Sequence, residues 1–354
     1  METGLIEPLG LLDGPGAAAA IAAGTALPLA GGPLAFSLAR LLPNPAPLRI
    51  ADIPPTWHDA LARLTAPPAA AWCPRPTVMG VLNITPDSFS DGGVHLDADH
   101  AAAAGLAMVA AGAAIIDVGG ESTRPGAAPT PPETERARVL PVIRALARQG
   151  VTVSVDTRNA ATMEAALGEG AAIVNDVSAL AYDPLAPPLL ARFDAPVVLM
   201  HTRGTPQTMG GLARYDDVAV EVVRELALRL AAAEAAGIAR ARIALDPGIG
   251  FAKTAAHNLE LLARLPLLLA LGCPLVLGVS RKSFIGRFSG VPEARGRLAG
   301  SLAAALFVLA RGASVLRVHD VADTVQAVRL WQTLAGGSCP AGSLAPVSFA
   351  AAAG

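Results

Sequence analysis

The sequence predicts a (β/α)8 TIM barrel that carries an N-terminal extension rich in Ala, Pro and Gly. Three observations lead there. Short apolar runs rich in Val and Ile recur at 78–82, 114–118, 151–155, 172–174, 196–200, 242–245, 274–279 and 314–318. Most are separated by an Ala/Leu-rich segment of helical length, and strand-then-helix repeated eight times over roughly 250 residues is the count and size of such a barrel. Polar residues stand just past the end of each run, in phase with it. A doubly wound sheet is the rival, but no Gly-x-Gly-x-x-Gly turn follows the first run.

Residues 1–75 have a different texture. They are punctuated by Pro43, Pro45, Pro47, Pro54, Pro55, Pro67 and Pro68 and show no sustained period. They are expected to be an accessory extension that either packs on the main domain, across the N-terminal face of the barrel, or is partly disordered. The barrel is expected over 76–335 and a C-terminal tail over 336–354. Within the barrel, Ala101 to Ala113 follows Asp97, Asp99 and His100 and is expected to be helical. So is Asp217 to Ala236, with Glu221, Arg224 and Glu225 on a polar face, and so is Ala294 to Arg311.

Composition narrows the function. The chain has 354 residues, 53% hydrophobic and 16% charged, so it can bury a large core. Its net charge of −2 gives no sign of a nucleic-acid binder. Cys73, Cys273 and Cys339 lie far apart, which excludes a Cys-x-x-Cys zinc site and fits a reducing compartment. The uncharged stretch Gly14 to Ala39 is broken by Pro15, Pro28 and Pro33 and follows acidic residues, the reverse of a signal peptide. A protein of the cytoplasm, with no membrane or nucleic-acid partner, is the expectation.

The strand ends carry the chemistry. In order they offer Asn83; Glu121 to Arg124; Asp156, Thr157 and Arg158; Asn175 and Asp176; His201; Asp246; Ser280, Arg281 and Lys282; and Arg317 with His319. In a barrel all eight ends converge on one rim, where barrel enzymes place their active sites. No His/Cys ligand spacing, no Gly-x-Ser-x-Gly elbow and no evident Ser or Cys nucleophile is present. The stretch Asp246 to Thr254 (DPGIGFAKT) is not a phosphate-binding P-loop, because Pro247 and Ala252 stand where that motif needs Gly. Several bases around one mouth suit an anionic substrate, with diphosphate the natural candidate. Carboxylates and amides deeper in suit a flat heterocycle rich in N–H donors. Ser283 and Phe284 open a helix whose N-terminus could take a carboxylate of a second substrate.

Longer motifs then become specific. Val78 to Gly93 (VMGVLNITPDSFSDGG) and Asp117 to Gly126 (DVGGESTRPG) closely resemble the first two loops of the dihydropteroate synthase family. Ser154–Thr157, Val174–Asp176, Met200–His201 before Gly204–Pro206, Asp246–Phe251, Ser280–Ser283 and Arg317–Asp320 match it in the same order. The resemblance covers about 76–332 and says nothing of the extension. His201-Thr202-Arg203 departs from the family, where Met or Asn followed by Gln is more usual, and touches fine contacts of the pterin pocket only.

The resemblance implies condensation of 6-hydroxymethyl-7,8-dihydropterin diphosphate with 4-aminobenzoate, a step of folate synthesis. It also implies a homodimer, magnesium and inhibition by sulfonamides. By the same resemblance Asp156, Asn175, Met200, Asp246, Phe251 and Lys282 would form the pterin site. Asn83, as the magnesium ligand, would grip the diphosphate with Arg317 and His319. Phe89, Thr123, Arg124, Pro125, Lys282 and Ser283 would shape the aminobenzoate site. The catalytic group would be Asp156, Lys282, Asn83, Arg317 and His319. The loop after Leu82 is expected to be a lid hinged at Gly92-Gly93, with Phe89 walling the second substrate. Glu121 is expected to orient its own loop, His201 to serve packing, and Arg281 either to face the site or to turn outward into an ion pair. Rival readings are a pterin-binding methyltransferase, which would not be expected to show the Ser-Phe-Ser-Asp-Gly-Gly and Ser-Arg-Lys-Ser loops together, and a silent pterin-binding paralogue.

Overall fold

In a computed structural model, residues 4–70, 72–84, 94–124 and 126–336 are described. The chain begins with a small antiparallel sheet. Strand β1 (Leu5–Leu12) leads to helix α1 (Gly14–Ala22), β2 (Leu27–Pro28), β3 (Ala35–Leu42), β4 (Pro47–Arg49) and α2 (His58–Thr65). β3 is the centre: β1 pairs along one edge, while β2 and β4 share the other. Pro8 and Gly10 hide β1 in the sequence. As an edge strand it needs no N–H at Pro8, and Gly10 takes a positive φ of 59°. Thus the extension has regular structure that local periodicity did not reveal, because its pairings are long-range.

The barrel follows. Its strands are β5 (Thr77–Asn83), β6 (Ile115–Gly119), β7 (Val153–Asp156), β8 (Ile173–Asp176), β9 (Val197–Met200), β10 (Ile243–Asp246), β11 (Val276–Leu277) and β12 (Val315–Val318). All pairings among them are parallel, in the order β10-β9-β8-β7-β6-β5-β12-β11. The ring closes where Leu245 bridges Leu275 and its N–H donates to the Pro274 carbonyl at 2.9 Å. Each expected apolar run overlaps one of these strands, and the doubly wound alternative is excluded.

Helices α3 (Val94–Ala110), α4 (Pro132–Arg148), α5 (Ala160–Gly168), α6 (Ala186–Arg192), α7 (Val218–Ala235), α8 (Ala255–Ala263), α9 (Ser283–Ser289), α10 (Leu298–Leu309) and α11 (Val321–Leu334) surround the ring. α3 starts earlier than expected and stops before Gly112, whose φ of 107° no helix accommodates. The segment 294–311 divides into a 3-10 turn, Ala294–Gly296, and α10. Asp217 caps α7 by accepting the Val220 N–H at 2.9 Å.

Strand alternation sorts the side chains into two apolar clusters. Met79, Ile115, Ile173, Val198, Ala244, Val276 and Val315 point into the lumen and pack together. Ala70, Trp72 and Cys73 join them, so the segment just before β5 plugs one end of the barrel. Val78, Leu82, Ile116, Val118, Val155, Val174, Leu199, Leu245 and Leu316 belong to the cluster packed under the helices. Ile6, Leu29, Phe36 and Leu64 of the extension lie in that same cluster, with β1 and α2 packed on the turn Leu265–Leu271. Cys73 and Cys273 are buried and free.

Candidate active site

Above the apolar lumen layer the next inward positions are polar on β6, β8, β10 and β12, where they are Asp117, Asn175, Asp246 and Arg317. Register places Asn83 beside Gly119, Gly119 beside Asp156, and Asp156 beside Asn175, in one rung across four strands. Gly119 keeps that rung open. A methyl group there would lie 3.4 Å from Asp156 Cβ and 3.6 Å from Asn83 Oδ1. Met79, one of the lumen residues, is opposite Arg317 on β12.

Arg317 organises the centre. Its Nε donates to Asp117 Oδ2 at 2.6 Å and its Nη2 to Asp156 Oδ2 at 2.6 Å. Asn175 Nδ2 donates to the same Asp117 oxygen at 3.1 Å. Asp117 is fully buried, and among the described residues its Oδ1 has no partner. Burial, with Asp117 beside it, pushes Asp156 up to about 7 against the pull of Arg317. Burial disfavours the Arg317 charge, but the two carboxylates overcome it and hold the guanidinium protonated.

Asp246 ends β10, buried, with its Oδ1 accepting the Gly248 N–H at 2.7 Å. Burial raises its carboxyl above the usual range, opposed by that bond and by Lys282. Lys282 precedes α9. Its ammonium stands 4.6 Å from the centre of the Phe251 ring, a cation–π contact, and burial pulls it down to about 8 against Asp246. Met200 is buried at the end of β9. His319 meets the Ser280 hydroxyl through Nδ1 at 3.1 Å, and burial, aided by Arg317 and Arg281, lowers it to about 4.

Other strand-end residues turn away from this group. Asp176 faces outward and accepts from the Ser178 N–H and hydroxyl and the Leu180 N–H, which shapes its loop. Glu121 takes a bidentate pair from Arg158 at 2.9 Å for each bond and also accepts the Thr130 N–H, so it orients the loop after β6. Arg281 pairs with Asp320 at 3.0 Å, the outward alternative. His201 bonds Glu225 and Lys253 and so is more than packing. Half-buried Thr123 and exposed Arg124 lie on the loop after β6, and exposed Ser283 opens α9. Phe89, Pro125 and the lid expected over 83–93 lie outside the described residues, apart from Asn83 and Ile84. The tail from 337 onward does too.

Sequence reasoning missed Asp117. It sits inside the apolar run 114–118 and reads as a strand residue. The signal was its parity: it shares a face with Ile115 and Gly119, which is the lumen face. It marked Arg203 only as a departure from the family and missed its contacts: Arg203 donates to Glu221 and Glu225 and lies 3.9 Å from the Tyr215 ring centre.

Asn83 offers one neutral oxygen beside Asp156. Among the described residues no three His, Cys, Asp or Glu side chains cluster as a metal cage. That donor set suits magnesium held mostly by substrate phosphate oxygens and water, and does not suit a resident transition metal.

Comparison with known proteins follows the same lines. Residues 79–319 match the family described as pterin binding enzyme. The chain is 50% identical over 264 residues to a dihydropteroate synthase of Neisseria meningitidis serogroup C, covering 73% of this chain and 93% of that protein. Among solved structures, dihydropteroate synthase of Xanthomonas albilineans with 4-aminobenzoic acid matches with a TM-score of 0.70 and 49% identity, over 73% of this chain and 93% of that one. The structure of that enzyme in complex with 7,8-dihydropteroate matches with a TM-score of 0.67 and 46% identity, over 73% and 94%.

Proposed function

The chain belongs to the pterin-binding enzyme family, and we infer from that premise that it acts as a dihydropteroate synthase. It condenses 6-hydroxymethyl-7,8-dihydropterin diphosphate with 4-aminobenzoate, giving 7,8-dihydropteroate and diphosphate. The observation that carries this reading is the group Asp117, Asp156, Asn175 and Arg317, closed by 2.6–3.1 Å bonds at the mouth of the barrel. Carboxylates and an amide there, with a spare acceptor on Asp117, match the N–H edge of an aminopyrimidine ring.

The residue roles extend the reading. Asp246, Asn175 and Lys282 hold the pterin ring, with Met200 and Phe251 on its faces and Asp156 near its ring nitrogens. Arg317, His319 and Asn83 take the diphosphate. Asn83, with phosphate oxygens of the substrate, would hold magnesium, which when bound would supply positive charge to offset the charge developing on the leaving group. As the C–O bond to diphosphate breaks, positive charge spreads from the methylene carbon into the electron-rich ring. Ionised Asp156 favours that charge electrostatically. The aminobenzoate nitrogen is neutral at pH 7, forms the new C–N bond and passes its proton to the departed diphosphate or to water, so no strong base is needed. Thr123, Arg124, Ser283 and Lys282, with Phe89 and Pro125, define the aminobenzoate site, which is also where a sulfonamide would compete.

The same reading makes the enzyme a homodimer of the cytoplasm. Exposed Phe307 and Leu330 on the neighbouring helices α10 and α11 support the first part. Among the described residues no helix is long and apolar enough to cross a membrane.

The test is diphosphate release by purified protein with the pterin diphosphate and magnesium, with and without 4-aminobenzoate. Release that needs both substrates and is lost in Asp156→Asn and Lys282→Ala is expected. Tight pterin binding without release would overturn the synthase reading in favour of methyl transfer or a silent paralogue.

A further inference from the structure

The stretch Asp246 to Thr254 fails as a P-loop, yet its lysine is placed with care. Lys253 Nζ lies 2.8 Å from His201 Nδ1, 3.1 Å from the Gly248 carbonyl and 3.0 Å from the Phe251 carbonyl. An ammonium has three N–H donors and meets three acceptors here, so none is left over. Against burial, the His201 and Arg203 bonds hold the Glu225 carboxyl low, so it can only accept. The neutral His201 therefore carries its proton at Nε2 and donates to Glu225 Oε2 at 3.0 Å, which leaves Nδ1 to accept from Lys253, a group that burial pulls down to about 7. Burial keeps that imidazole neutral, down at about 4, despite Glu225. Glu225 is fixed in turn by the Arg203 guanidinium. The result is a cross-brace from α7 through the end of β9 to the loop after β10.

That loop is otherwise free to move in few ways. Gly248 has a φ of 67°. A methyl group on it would fall 1.9 Å from the His201 carbonyl, so the loops after β9 and β10 already touch backbone to backbone. Asp246, two residues earlier, is held by the Gly248 N–H, and Phe251 carries the Lys282 contact. Lys253 therefore grips the two carbonyls that bracket the turn between the carboxylate and the aromatic ring.

We propose that Lys253 is a positioning residue for the pterin half of the site: through the Gly248 and Phe251 carbonyls and the His201 imidazole it sets the Asp246 carboxylate and the Phe251 ring where the pterin meets them. It does not touch substrate. His201 is the second member of the device and works as a neutral acceptor–donor. The proposal rests on the pterin reading above.

The experiment compares wild type with Lys253→Met, His201→Gln and His201→Leu in the full-length protein. Pterin diphosphate binding is measured by titration calorimetry, both KM values and kcat by steady-state kinetics, and Tm by calorimetry. Lys253→Met keeps all but the last atom of the side chain's length and makes none of the three bonds. It is expected to weaken pterin diphosphate binding about tenfold, the scale of one charged hydrogen bond, with the KM for aminobenzoate changed less than twofold. His201→Gln can accept from Lys253 and donate to Glu225, so it is expected to retain near wild-type affinity. His201→Leu is expected to resemble Lys253→Met, and it keeps the question decidable if Lys253→Met does not fold. A lowered Tm with unchanged pterin affinity in the lysine and leucine variants would overturn the proposal. So would equal losses in both KM values. Wild-type protein that binds no pterin diphosphate would instead bring down the functional reading itself.

Discussion

Arg317 bonds two buried carboxyl groups at once, and the cost of losing it follows from that. Arg317→Met would leave Asp117 and Asp156 facing one another in a buried site. Removing one member of a buried ion group costs about 3–5 kcal/mol, so a loss of activity above ~100-fold and a clearly lowered Tm are expected together. Arg317→Lys keeps the charge but not the two-pronged reach, and should recover stability better than rate, as a melt and an activity assay would show. Asp156 also sets a pH signature. Its folded form holds a proton up to about 7, whereas an unfolded aspartate releases it near ~3.9. Stability from that proton is therefore complete below the unfolded value and is lost as pH rises through about 7. Relative to wild type, Asp156→Asn should gain Tm steadily between pH 4 and 7 and then level off. A flat difference across that range would show that Arg317 keeps the carboxylate ionised throughout. Asp117, the third member, shows the limit of reading residues by class. Its neighbours Ile115, Ile116 and Val118 made it look like part of an apolar run, and only counting by twos from the rim assigns it to the lumen.

Elements carry the site differently from what their sequences suggest. The eight apolar runs were legible because burial on both faces leaves strands of Val and Ile with little alternation. Their polar ends were legible for the same reason, since each interrupts such a run. What could not be read was which end residue turns inward. Asn175 and Asp176 are adjacent, yet one faces the lumen and the other shapes its own loop. Glu121 is similar: it belongs to the loop after β6, but it is spent on Arg158 and the Thr130 N–H. Glu121→Gln should loosen that loop and raise the KM for aminobenzoate several-fold, on the premise that Thr123 and Arg124 shape that pocket, with little change for the pterin diphosphate. Arg158→Met leaves the Glu121 charge buried and should cost ~3–5 kcal/mol in stability, more than the double variant Glu121→Gln/Arg158→Met. A double-mutant cycle on Tm checks this. Additive losses would mean that the pair is not coupled.

At the scale of the molecule, the extension raises the largest question, because its prolines and glycines gave no period to read. Its strands exist through pairings such as Leu5 with Leu42 and Leu9 with Leu38, which no local window can contain. One buried charge joins it to the barrel. Glu7 accepts from Arg40 at 2.9 Å and from Arg264 at 2.6 Å, and Arg264 also grips Asp217, the cap of α7. Beside this clasp, Ile6, Leu29, Phe36 and Leu64 lie in the same apolar cluster as the strands and helices of the barrel. Two bodies that share one core should not unfold separately. A single calorimetric transition is therefore expected for the whole chain, with residues 5–65 resisting protease until the barrel melts. Glu7→Gln, which strips the charge from between two arginines, should destabilise that one transition by ~1.5–3 kcal/mol without splitting it, because Arg264 keeps Asp217 and the apolar contacts remain. If the extension were instead cut away early, or melted in a transition of its own while diphosphate release continued unchanged, it would be an appendage, and the shared core would contribute little to holding the barrel together.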